Sequence, residues 1–126
     1  MQRPRLLIVN DDPALVRAII MALTSLDRYD IRSLTDPSQA LRAVLEFRPD
    51  LVILDWTMPE MNGGEAARLI RSDPSAGATR MLILSSTIAN QKVRTQIEGI
   101  PAIAKPVGLH HLVEAIEDQI SDGSNA

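Results

Sequence analysis

The sequence predicts an α/β domain built on a parallel sheet with helices on both faces. Two observations carry this. Apolar runs and helix-spaced apolar patterns alternate along the chain, strand then helix, five times over. The strongest runs are apolar at consecutive positions rather than at every second one, as expected of strands buried on both faces.

Leu6 to Val9 is the first such run, and Asn10, Asp11 and Asp12 end it abruptly. Turn chemistry directly after four apolar residues marks the end of a buried strand. Pro13 suits the first turn of a helix, and Leu15, Val16, Ile19, Ile20 and Leu23 follow at helical spacing. Ile31 to Leu34 is a weaker strand. Asp36 and Pro37 form an N-cap followed by an N1 proline. They open a helix through Ala40, Leu41, Val44 and Leu45, which Pro49 and Asp50 end.

Leu51 to Leu54 is the second fully apolar run, closing on Asp55. Met58 to Gly64 carries proline and glycine and reads as a loop, with a helix from about Glu65 to Arg71. Asp73 to Ala78 is a turn-rich connection. Met81 to Leu84 is the third apolar run, ending in Ser85 and Ser86. Between Ile88 and Glu98 the apolar positions at helical spacing are few: Ile88, Val93 and Ile97. A short or displaced fourth helix is expected there. Pro101 to Ala104 is a short strand closing on Lys105 and Pro106. Leu109, Leu112, Val113, Ile116 and Ile120 give a clear last helix.

The chain has 126 residues, the size of one domain, and 45% of them are apolar, enough for a sizeable core. A single domain over 1–126 is expected, with an ordered core from about 4 to 121 and a small polar tail over 122–126. The formal net charge of −3 argues against direct nucleic-acid binding, which calls for a basic face. With no cysteine, disulfides and thiolate metal sites are excluded. The apolar stretch near the N-terminus is too short for a signal peptide or a membrane span. A cytoplasmic domain is the expectation.

The placement of the polar residues is the functional signal. Asp11 and Asp12 follow the first strand, Asp55 ends the third, Ser85 the fourth and Lys105 the fifth. Open parallel sheets bind ligands outside the carboxyl ends of their strands, so these residues converge on one rim. Three nearby carboxylates repel one another, and a hard divalent cation removes the conflict. Ligands that are all oxygen suit Mg²⁺ over zinc or copper. Asp55 can attack phosphorus in line, Lys105 can hold a phosphoryl oxygen, and Ser85 can donate a hydrogen bond to another.

Read together, the segments NDDP, LVILDWTMPEMNGGE, MLILSS and AKP resemble the response-regulator receiver domain of two-component systems, over essentially the whole chain. The resemblance implies a flavodoxin-like, doubly wound five-stranded parallel sheet of order 2-1-3-4-5. It implies that Asp55 is the phosphorylated aspartate. Asp12 matches a direct Mg²⁺ ligand, Asp11 a ligand through water, and the Thr57 carbonyl a third protein ligand. Ser85 matches the switch hydroxyl and Lys105 the lysine before proline, whose bond to Pro106 is expected to be cis. The implied partners are a sensor histidine kinase or histidine phosphotransfer protein and a downstream protein target. No membrane is implied, and a homodimer is allowed.

The chain departs from the receiver pattern at two places. Ala102 occupies the position where receivers usually carry an aromatic ring. Pro101 replaces a usual acidic residue, and the segment between Ser85 and Lys105 is short. The phosphorylation chemistry is filled while the readout differs, so switching is expected without the aromatic rotamer change. The leading function is a phosphorylation-dependent signalling switch, not an enzyme with turnover on a separate substrate. A pseudo-receiver acting as a phosphorylation-independent interaction module is disfavoured, because all five chemical positions are filled. An aspartyl-phosphate hydrolase would need a second acid at Thr57.

Overall fold

The computed structural model describes residues 3–56, 63–85, 94–97, 99–104 and 108–124. The elements in order are β1 (Arg5–Val9), α1 (Pro13–Thr24), β2 (Asp30–Leu34), a 3₁₀ turn (Pro37–Gln39) and α2 (Ala40–Phe47). Then come β3 (Leu51–Asp55), α3 (Gly63–Ser72), β4 (Arg80–Ser85), β5 (Arg94–Ile97), β6 (Ile100–Ala104) and α4 (Leu109–Ser124).

Helix boundaries follow local chemistry. Asp36 caps the 3₁₀ turn, accepting from Ser38 N, with Pro37 as the first residue. α2 ends where Arg48 turns left-handed, at φ 53°, and its N–H reaches the Val44 carbonyl at 2.8 Å. α4 runs from Leu109 to Ser124.

The sheet has the order β2-β1-β3-β4-β6-β5. Neighbours from β2 through to β6 pair in parallel, as the doubly wound prediction requires. Side chains alternate between two cores. Leu7, Val9, Val52, Leu54, Ile83 and Ala102 pack with α2 and α3. Leu6, Ile8, Leu51, Ile53, Leu84 and Ile103 pack with α1 and α4. Tyr29, just before β2, donates a hydrogen bond to Glu117 Oε2 of α4. Burial pushes the Tyr29 phenol up to about 12, helped by its bond to Glu117 and that carboxylate's charge, while Arg28 acts the other way.

The five-stranded prediction is corrected at one edge. Residues 94–97 form an antiparallel sixth strand, not part of a fourth helix. The stretch has little to hold a helix, and Thr95 and Ile97 are β-branched. Ile97 stands opposite Ile100, which leaves a two-residue connection. Gly99 supplies the left-handed backbone that this hairpin uses, at φ 79°. Residues 86–93, where the rest of the expected helix falls, lie outside the described residues.

Candidate functional site

The described polar residues that are buried are Asn10, Asp55 and Ser85, at 1%, 4% and 0% relative exposure. All three sit at the carboxyl ends of adjacent strands. Strand pairing explains why. Val9 stands opposite Leu54, so the next residues, Asn10 and Asp55, are level. Asp55 stands opposite Leu84, so Ser85 lies one step further along β4. Ser85 in turn stands opposite Ala104, the residue before Lys105. Trp56, partly buried against the α2–α3 core, donates its backbone N–H to the Leu84 carbonyl at 2.9 Å.

The structure thus brings Asp55 and Ser85 to one rim, and Asp11 follows directly on the buried Asn10. Lys105, Thr57 and the Lys105–Pro106 bond lie outside the described residues. Asp12 also has a structural task. It is exposed, and its Oδ1 accepts the backbone N–H groups of Ala14 at 3.0 Å and Leu15 at 3.4 Å. That is an N-cap for α1. Among the described residues no group of three or more His, Cys, Asp or Glu is arranged to hold a metal ion.

Asn10 escaped the sequence reading. Its Oδ1 accepts the Asp12 backbone N–H at 2.9 Å, and its own N–H donates to the Leu34 carbonyl at 3.0 Å. Its Nδ2 and the Oδ1 of Asp55 are buried atoms reached by no hydrogen bond. Asp55 and Ser85 each have a polar interaction elsewhere. The signal for Asn10 was available in principle. Strand alternation places it on the same face as Leu6 and Ile8, which is the face that Asp55 shares with Leu51 and Ile53.

Comparison with known proteins decides the family. The response regulator receiver domain model matches residues 6–117. This chain belongs to the response regulator receiver domain family. Among its relatives, the DNA-binding response regulator MtrA of Mycolicibacterium smegmatis is 38% identical over 86 residues, covering 68% of this chain and 37% of MtrA. The receiver therefore spans little more than a third of that relative.

Solved structures show the same fold. Chemotaxis protein CheY4 of Vibrio cholerae superposes with a TM-score of 0.80 at 21% identity, over 93% of this chain and 98% of that one. The receiver domain of sensor histidine kinase PA1611 from Pseudomonas aeruginosa superposes with a TM-score of 0.80 at 23% identity, over 95% and 99%. That structure holds a magnesium ion in its active-site cleft.

The receiver's donor set can be tested against such an ion. Mg²⁺ keeps several waters and binds one or two carboxylates together with phosphate oxygens. Asp55 Oδ1 is buried and reached by no hydrogen bond, which suits an oxygen donor to a hard cation. No helix among the described residues is long and apolar enough to cross a membrane.

Proposed function

We propose that this receiver is a phosphorylation-dependent switch in which Asp55 accepts a phosphoryl group from a histidine kinase or histidine phosphotransfer protein. One observation carries the reading: within a receiver fold, a buried carboxylate ends β3 between the strand ends that carry Asp11 and Ser85.

An Asp55 carboxylate oxygen attacks phosphorus, forming the acyl phosphate as the donor's bond to phosphorus breaks. Asp55 and Asp11 would hold Mg²⁺, with the second oxygen of Asp12 and the Thr57 carbonyl as further donors. The ion supplies charge neutralisation for the phosphoryl oxygens. Ser85 donates its hydroxyl to one phosphoryl oxygen, and Lys105 pairs with another. Hydrolysis of the acyl phosphate, rather than turnover of a separate substrate, ends the signal.

The rearranged edge would present the output to a downstream protein, and a cytoplasmic location belongs to the same reading. DNA binding is a property of the MtrA relatives as whole proteins. It gives no support to the expectation that the protein carrying this receiver avoids nucleic acid.

Trp56 adjoins Asp55, so its emission should change on titration with millimolar Mg²⁺. Mg²⁺ and acetyl phosphate together should add one phosphoryl group per chain, and Asp55→Asn should abolish the adduct. Flat emission with no calorimetric binding would remove the metal from the account. An undiminished adduct in Asp55→Asn would remove the acceptor.

A further inference from the structure

The sheet ends on β2, which pairs with β1 alone. Along a parallel ladder, one residue turns both its N–H and its C=O to a given neighbour, and the next turns both the other way. Asp30 N donates to the Pro4 carbonyl at 2.9 Å, and the Leu34 carbonyl accepts from Asn10 N at 3.0 Å. Asp30, Arg32 and Leu34 therefore face β1. Ile31 and Ser33 turn their backbone donors and acceptors outward along the edge.

The side chains on this edge carry opposite charges two residues apart. Asp30 and Arg32 are both exposed and lie on the α2 face of the sheet, where the Arg32 guanidinium covers the Phe47 ring at 4.5 Å. Ile31 points to the other face, half-buried against the α1–α4 core. Among the described residues neither Asp30 nor Arg32 forms a salt bridge within the chain.

Charge on an exposed edge ordinarily blocks strand addition. Here the sequence Asp-Ile-Arg is complementary to itself when reversed. An antiparallel neighbour centred on Ile31 sets Ile31 against Ile31, and the outward groups of each exchange two hydrogen bonds. It also sets Asp30 of each copy against Arg32 of the other, in the closer class of pair, with Cα atoms about 4.5 Å apart. The register centred on Arg32 would oppose two arginines, and the one centred on Ser33 would set Arg32 against Leu34. Charge complementarity therefore selects one register and one occupant.

We propose that β2 is a self-association edge: it pairs antiparallel with β2 of a second copy of this chain, about a two-fold axis at Ile31, closed by two Asp30–Arg32 ion pairs. The contact is isologous, so it ends at a dimer. It needs no chemistry at Asp55.

The test is sedimentation equilibrium on the full chain. Wild type should dimerise, and added salt should weaken the dimer several-fold. Asp30→Arg opposes arginines at both pairs, and Arg32→Asp opposes aspartates. Each variant alone should weaken the dimer by about tenfold or more. Mixed in equal amounts, the two variants are complementary again and should associate with each other.

A wild-type chain that stays monomeric up to millimolar concentration would overturn the inference. So would a dimer that neither substitution weakens, which would place the contact on another face, or a mixture of the variants that fails to associate. Backbone amide exchange in the wild type gives a second reading if a variant fails to fold. The Ile31 amide should exchange more slowly as protein concentration rises, and an Ile31 amide indifferent to concentration would overturn the pairing.

Discussion

Asp12 Oδ1 accepts the backbone N–H of Ala14 at 3.0 Å, fixing the acid to the first turn of α1. Asp12→Ala should lower stability by about 1 kcal/mol, the usual loss for an N-cap, read as a shift in the denaturation midpoint. Asp12→Ser keeps a capping oxygen and should stay within a few tenths of wild type. Its Mg²⁺ binding should weaken less than that of Asp11→Ser, because one Asp12 oxygen is already committed to the cap. Equal weakening by the two would show that the cap does not limit Asp12 as a ligand.

Ala102 lies between Ile83 of β4 and Thr95 of β5 and is 1% exposed. Receivers usually carry an aromatic ring at this place, so Ala102→Phe tests whether room for one survives. Overpacking a filled core typically costs about 1–3 kcal/mol, and that loss is expected here. A variant as stable as wild type in thermal unfolding would show that the edge opens to accept the ring.

Gly99 should be intolerant for a backbone reason. At φ 79° its nearest non-neighbour to an added Cβ is Arg71 Nη2, 3.8 Å away, which is ordinary contact. Space therefore does not oppose Gly99→Ala, but the left-handed conformation does, by roughly 1–2 kcal/mol. Chemical denaturation should show that loss, and its absence would mean the hairpin relaxes to another turn.

Tyr29 gives a stability term that depends on pH. Its folded-state phenol titrates at about 12 against an ordinary 10.0, because burial and Glu117 favour the protonated form. A raised folded value means the contribution is whole below pH 10 and is lost as pH rises through 12. Tyr29→Phe should lower stability at pH 7 by about 1.5–3 kcal/mol, as for a hydrogen bond to a charged group. Its unfolding midpoint should fall less than wild type's across that alkaline window.

The doubly wound sheet was legible because consecutive apolar residues such as Leu51 to Leu54 leave few alternatives to a strand buried on both faces. Asp55 and Ser85 were legible for the same reason: they are the first polar residues after such runs. Residues 94–97 were not. A four-residue edge strand has no periodicity of its own, and its pairing depends on Ile100 to Ile103, which a local reading cannot bring alongside it. Asn10 was overlooked because two adjacent acids drew the chemistry one residue down the chain. The difference between Asn10 and Asp12 lies in which one the strand buries and which one the helix uses as a cap.

The account turns on Asp55 as the phosphoryl acceptor. Treatment with acetyl phosphate and Mg²⁺, borohydride reduction of the acyl phosphate and peptide mapping by mass spectrometry would locate the modified residue. The account predicts reduction at Asp55 alone, absent without Mg²⁺ and absent in Asp55→Asn. Modification at Asp11 or Asp12, or a stable phosphate on Ser85 with Asp55 untouched, would contradict it.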